Sequence, residues 1–237
     1  MNTNKKKISM NIESVLAAVG IIMLCFLVVL KFYTILKINV PRELREATLA
    51  VFAKDLANGV NPYAISILEH EIPSATSLYG CFVPMVLAPF VKIFSFIGIG
   101  ALQTCQIVTL VVEIVGIYFG YKIIYSITNN EFCSICSTII LYSCYWRYDA
   151  CGGAFPDQWG VTLSIILAYL VYKDEERKRY RPLLYAAIIV VLFYIKSYFV
   201  FVTFGLFVYL LINEVKEAIK LVVAGICIGG SSFFWST

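Results

Sequence analysis

The chain reads as an all-α polytopic membrane protein. Three observations carry that fold class. Of its 237 residues, 60% are hydrophobic and 14% charged, against roughly 45–50% apolar and about 25% charged in a soluble domain. The mean hydropathy is +0.83, so there is too little polar surface to cover a water-soluble globule. Finally, the apolar residues fall into separate runs, and the excess positive charge is concentrated in two clusters, Lys5–Lys7 and Lys173–Arg181. Clustered charge of this kind reports topology and not a nucleic-acid partner. The eight cysteines are scattered through apolar runs and His70 is the single histidine. Cys133 and Cys136 have CxxC spacing without a second pair, so they read as small buried residues before they read as a zinc or redox motif.

Taken in order, Lys5–Lys7 precede the apolar run Val15–Leu30. That run is long for a signal peptide and no Ala-x-Ala-like site follows it. It predicts an uncleaved first transmembrane helix with the N-terminus cytoplasmic and residue 37 emerging outside. Residues 37–77 form the first external loop. Within it, Arg42–Asn58 reads as a helix: Leu44, Val51, Phe52 and Leu56 approximate one stripe, Pro41 suits the first turn, and Asn58-Gly59 suits a stop. An amphipathic helix lying on the membrane surface is the expectation, and a plain interfacial anchor satisfies the same pattern.

Three apolar runs follow, Cys81–Gly98, Ala101–Tyr121 and Phe132–Trp146. The second contains Glu113, which needs a partner or a wet cavity inside a membrane; Gln103 and Gln106 on the same helix are the nearest candidates by sequence. Trp159–Tyr172 then runs directly into "KDEERKRYR", Lys173–Arg181, with five basic residues in nine, which belongs on the cytoplasmic side. Asp157 is therefore external. Leu183–Ile195 emerges at Lys196, Tyr198–Ile212 returns to Lys216 and Lys220, and Leu221–Trp235 is the last run. An even number of crossings must separate Tyr63 from Asp157, yet three runs lie between them. Phe132–Trp146 is the shortest and the first candidate for a re-entrant segment. Cys81–Gly98, interrupted by Pro84 and Pro89, is the second.

Three chemistry-bearing stretches thus share one side: the first loop, Asp157 and Lys196. Each has a plainer explanation by itself. Glu46 is also a solvated helix residue, Lys196 a snorkelling helix end, and Asp157 an N-cap-like carboxylate. The aromatic residues around Arg147 and Asp149 in "YWRYDACGG" suit an interfacial belt.

The order of motifs resembles the multi-span GT-C-type glycosyltransferases, the mannosyltransferase- and arabinosyltransferase-like enzymes that use polyprenyl-phosphate sugars. The resemblance covers about residues 13–212. "GVNPY", Gly59–Tyr63, is similar to that family's G-x-N-P-Y signature. Glu46, thirteen residues before Gly59, suits its acidic position, and Tyr79-Gly80 suits its Y-G-P-L-like lead into the second span, with Cys81 where Pro is usual. Asp157 in "FPDQWG" and Lys196 in "YIKSY" look like its later acidic and basic outer positions. Many members carry Asp-Glu in the first loop; here Arg45 precedes Glu46, and Glu43 competes one turn away.

The resemblance implies a GT-C-like transmembrane bundle in the cell membrane, with 1–237 a single transmembrane domain forming the N-terminal part of a longer module. It implies transfer, by inverting displacement, from a polyprenyl-phosphate sugar to a glycan, lipid or protein acceptor at the outer face, with membrane lipid as surroundings and no nucleic acid. No cofactor is implied beyond the lipid-phosphate sugar donor, which is substrate; divalent metal is left open. Glu46 is the expected catalytic base, Lys196 the phosphate partner and Asp157 a sugar or acceptor ligand, with Tyr63, Tyr79 and Arg147 completing the substrate-binding set. The competing expectations are a transporter or flippase-like subunit for lipid-linked sugars, and an inactive fragment.

Overall fold

The computed structural model describes residues 3–38, 40–41, 43–64, 80–149 and 153–233. Among them every regular element is helical: α1 (Thr3–Lys37), α2 (Leu44–Ala57), α3 (Phe82–Ser95), α4 (Ala101–Thr128), α5 (Glu131–Asp149), α6 (Pro156–Arg177), α7 (Pro182–Ile195), a 3-10 turn (Ser197–Phe199), α8 (Val200–Asn213) and α9 (Val215–Phe233). Two stretches, Ile12–Lys37 of α1 and Ala101–Thr128 of α4, are long and apolar enough to cross a membrane.

The helix limits follow local chemistry. Pro156 opens α6, where a missing N–H costs nothing, and the Gln158 Oε1 accepts the Phe155 N–H at 3.0 Å. At the end of α2, the Asn58 N–H reaches back to the Lys54 and Asp55 carbonyls, and Gly59 takes the left-handed φ of +82° that stops the helix.

The bundle has two distinguishable ends. At one, the Gly80 N–H donates to the Ile195 carbonyl at 3.2 Å, Gln103 Nε2 to the Ile35 carbonyl at 3.5 Å, and Gln106 Nε2 to Glu46 at 2.8 Å. This Lys196 end gathers α2, the last turn of α1, and the starts of α3, α4 and α6. At the other, Tyr172 Oη donates to the Ser126 carbonyl at 3.2 Å, Arg181 Nε and Tyr185 Oη reach Asp174 at 2.8 and 2.5 Å, and Tyr209 Oη donates to Glu175 at 3.0 Å. This Arg181 end gathers the ends of α4, α6 and α8 and the start of α7.

The position of α3 bears on the odd number of runs before Asp157. Its start meets Ile195, and only residues 96–100 separate its end from α4, whose first turns meet Ile35 and Glu46. Both its ends therefore lie at the Lys196 end. The run that does not traverse the bundle is Cys81–Gly98 and not the shorter Phe132–Trp146. The latter gains length from its flanks and becomes the 19-residue α5.

The second correction concerns α2. It begins at Leu44, two residues later than the sequence suggests, with Glu43 in the extended N-cap position. Leu44 is 78% exposed, while Glu46, Leu49, Ala50 and Ala53 are buried. Leu49, Ala50 and Ala53 join Val83, Leu87 and Val91 of α3 in one apolar cluster. The buried face of α2 thus packs on protein, and it contains a carboxylate.

Glu113 has its partner on another helix. Lys31 Nζ of α1 donates to both its carboxylate oxygens at 2.9 Å, with side-chain exposures of 2% and 0%. Gln103 and Gln106 are engaged with Ile35 and Glu46 instead. Gln106, Thr109, Glu113 and Gly116 are all buried and recur on one face of α4. Thr109 Oγ1 accepts the Trp159 indole N–H at 3.1 Å. At Gly116 the absent side chain leaves room for Tyr145 Oη and Thr162 Oγ1, which are 2.9 Å apart.

Candidate functional site

A cavity of about 340 Å³ opens at the Lys196 end. Its polar wall is Arg45, Tyr145, Asp157, Gln158, Lys196 and Tyr198; Leu141, Cys144, Val161 and Phe199 line the rest. Four elements supply these groups. Arg45 comes from the first turn of α2, Tyr145 from α5, Asp157 and Gln158 from the first turn of α6, and Lys196 and Tyr198 from the joint between α7 and α8.

Pro156 at the start of α6 aims Asp157 from a helix N-terminus, where a carboxylate faces the positive end of the helix dipole. Lys196 Nζ donates to Asp157 Oδ1 at 3.1 Å, with both side chains about a quarter exposed. Tyr198 Oη donates to the same oxygen, and the Lys196 ammonium lies 4.6 Å from the Tyr198 ring centroid. Across the cavity, Arg45 pairs with Glu43, its Nη2 2.6 Å from Oε2. Its guanidinium lies 5.5 Å from the centre of the Phe155 ring. Two cations, each beside an aromatic ring and each paired with a carboxylate, share one cavity with apolar side chains, a combination that suits an anionic amphiphile. The cations attract the anion, Tyr198 offers a ring to a sugar or similar apolar face, and the apolar wall takes hydrocarbon.

Glu46 does not line this cavity. It follows Arg45 in α2, is fully buried, and its Oε1 accepts both the Gln106 Nε2–H and the Ala154 backbone N–H at 2.8 Å. It stands behind the turn that leads into Asp157.

The structure therefore brings Asp157 and Lys196 together and sets Glu46 behind them. Tyr63 packs edge-on to Phe52 at 5.1 Å, away from the cavity lining. Burial pushes its phenol pKa up, and its hydroxyl has no hydrogen-bond partner among the described residues. Tyr79 lies outside the described residues, and so does the side chain of Arg147 in the last turn of α5. Sequence reasoning passed over Arg45 and Tyr198 as site residues. Arg45 stood out only as a departure from an acidic pair, and Tyr198 as the first residue of an apolar run; their proximity to Glu46 and Lys196 was the available signal. Compared with protein-family models, with curated proteins and with solved structures, the chain matches none of them.

Proposed function

We propose that this chain is a multi-pass membrane protein with a cytoplasmic N-terminus, and belongs to a GT-C-type glycosyltransferase acting on a polyprenyl-phosphate sugar at the outer face. The observation that carries the proposal is the convergence of Arg45, Asp157 and Lys196 on one cavity, at the end of the bundle opposite the basic stretch Lys173–Arg181. Positive residues stay cytoplasmic, so this sidedness supports an external cavity, on the face where the proposed donor is used.

In the proposed reaction an acceptor hydroxyl oxygen attacks the anomeric carbon of the donor sugar. The bond from that carbon to the phosphate oxygen breaks, and its electron pair leaves with the polyprenyl phosphate. The hydroxyl proton passes to a carboxylate of the site. Lys196 and Arg45 face the negative charge that develops on the leaving phosphate, and the apolar wall receives the first part of the lipid. Membranes containing the chain, supplied with a radiolabelled polyprenyl-phosphate sugar and an acceptor extract, are expected to transfer label. Asp157→Asn and Lys196→Ala are each expected to lower it by about 10²-fold or more. Transfer at the parent level by both variants would overturn the proposal.

The buried Lys31–Glu113 pair supports a second reading, a transporter or flippase-like subunit, because charges inside a bundle mark translocation paths. Movement of a lipid-linked sugar across liposomes without transfer separates it from the first.

A further inference from the structure

We infer that Glu46 is a positioning residue: it fixes the turn that presents Asp157 to Lys196, leaving Asp157 as the carboxylate that meets substrate. The inference rests on the glycosyl-transfer reading for its reaction and on geometry alone for its placement.

Glu46 is fully buried, whereas Asp157 lines the cavity. Both hydrogen bonds described for Glu46 end on one oxygen, Oε1. One ties it to Gln106 of α4 and the other to the Ala154 N–H. The next N–H, that of Phe155, is closed by Gln158 at 3.0 Å, and Arg45 rests over the Phe155 ring. Asp157 follows two residues later, 3.1 Å from Lys196. A buried backbone N–H without an acceptor is strongly disfavoured, so the Glu46 oxygen selects the one arrangement of this turn that satisfies it. A sealed carboxylate cannot take a proton from an acceptor in the cavity, because a base must reach that proton directly or through one water. Asp157 meets that requirement. In the transfer step the acceptor's proton passes to the Asp157 carboxylate as the bond between sugar and phosphate breaks.

The two described hydrogen bonds supply a test. Glutamine can accept both of them on Oε1 and lacks a titrating carboxyl. Glu46→Gln is therefore expected to retain far more transfer than Asp157→Asn, with the acid limb of the pH profile unchanged. Asp157→Asn is expected to lose about 10²–10⁴-fold, the usual contribution of a general base. Glu46→Ala removes the acceptor and is expected to fall well below Glu46→Gln.

A readout independent of transfer is a zero-length cross-link. A membrane-permeant carbodiimide adds to the Asp157 carboxyl as an O-acylisourea, the Lys196 amine attacks the acyl carbon and expels the urea to leave an amide, and mass spectrometry measures the joined peptides. The parent chain and Glu46→Gln are expected to cross-link, and Glu46→Ala to fall to background. Loss of transfer in Glu46→Gln with the cross-link intact would make Glu46 the base and overturn the inference, as would parent-level cross-linking in Glu46→Ala. If the parent chain transfers no sugar, the reaction reading fails, while the cross-link still decides the positioning role.

Discussion

At the residue scale, two lysine–carboxylate ion pairs differ in burial. Lys31–Glu113 is sealed, and Lys196–Asp157 is open to the cavity. Removing one member of a buried pair leaves a buried charge without its opposite, at a cost of about 3–5 kcal/mol, whereas replacing both by apolar groups is often neutral or stabilising. Lys31→Met and Glu113→Leu should each lower the unfolding temperature in detergent markedly, and the double variant should recover most of the loss. A double variant as unstable as the sum of the singles would show that the pair is not the relevant contact. At Lys196 the expectation reverses. The pair is partly solvated, so Lys196→Ala should cost no more than about 1 kcal/mol of stability. Its loss of transfer should be about 10²-fold or more, the scale of removing one group that stabilises developing charge. Thermal unfolding and the labelled-transfer assay, run on the same preparation, separate the two effects.

At the element scale, α6 and the joint after α7 are held in register by a missing side chain. A Cβ on Gly160 would overlap the ring of Phe199, which is itself buried. Gly160→Ala gains about 1 kcal/mol of helix propensity but overpacks at a cost of typically 1–3 kcal/mol. The net expectation is a lower unfolding temperature, with a weaker Asp157–Lys196 cross-link, since Phe199 lies three residues from Lys196. An unchanged melting curve would mean that the joint adapts freely. The far end of α6 makes a pH-dependent contact. Lys178, Tyr180 and Tyr209 donate to Glu175 and hold its carboxyl down at about 2, against about 4.3 when unperturbed. A carboxyl depressed in the folded state stabilises it above the unfolded pKa, and that contribution disappears as the pH falls from about 4 toward 2. Glu175→Gln should therefore flatten the unfolding temperature against pH in that window and lower it at neutral pH; parallel curves for parent and variant would contradict this.

These elements also mark what the sequence could reveal. The start of α6 was not legible, since Asp157 reads as its N-cap whereas Phe155 takes that position and Asp157 lies in the first turn; the helix stop at Asn58-Gly59 was, because it is set by the φ range of the residue itself. So was the shared end of Asp157 and Lys196, because charge sidedness is a sum over whole loops. The buried face of α2 was not: Glu46, Ala50 and Ala53 do not look apolar enough to define it, and only Gln106 and the Ala154 N–H make burial of the carboxylate tolerable. Likewise Lys31 gave no sign of its role inside the run Val15–Leu36, since its partner lies 82 residues away.

At the scale of the whole molecule, the decisive question is which helices traverse. The charge rule demands an even number of crossings between the first loop and Asp157; in the proposed topology these are α4 and α5, with α3 turned back at the Lys196 end. The first loop, the α3–α4 connection and the α7–α8 joint should then all face outward, and residues 129–130 and 178–181 inward. Phe96 is 82% exposed in the α3–α4 connection, which makes it a suitable reporter. In a cysteine-free background, Asn58→Cys and Phe96→Cys should both react with a membrane-impermeant maleimide in intact cells. Asn129→Cys and Arg179→Cys should react only after permeabilisation. The pair at 58 and 96 carries the weight, because a transmembrane α3 would put them on opposite faces. Labelling of Phe96→Cys only after permeabilisation, with Asn58→Cys labelled in intact cells, would make α3 a crossing. Asp157 could then stay on the side of Glu46 only if α4 or α5 failed to cross, and the cavity would lose the common sidedness on which its proposed chemistry depends.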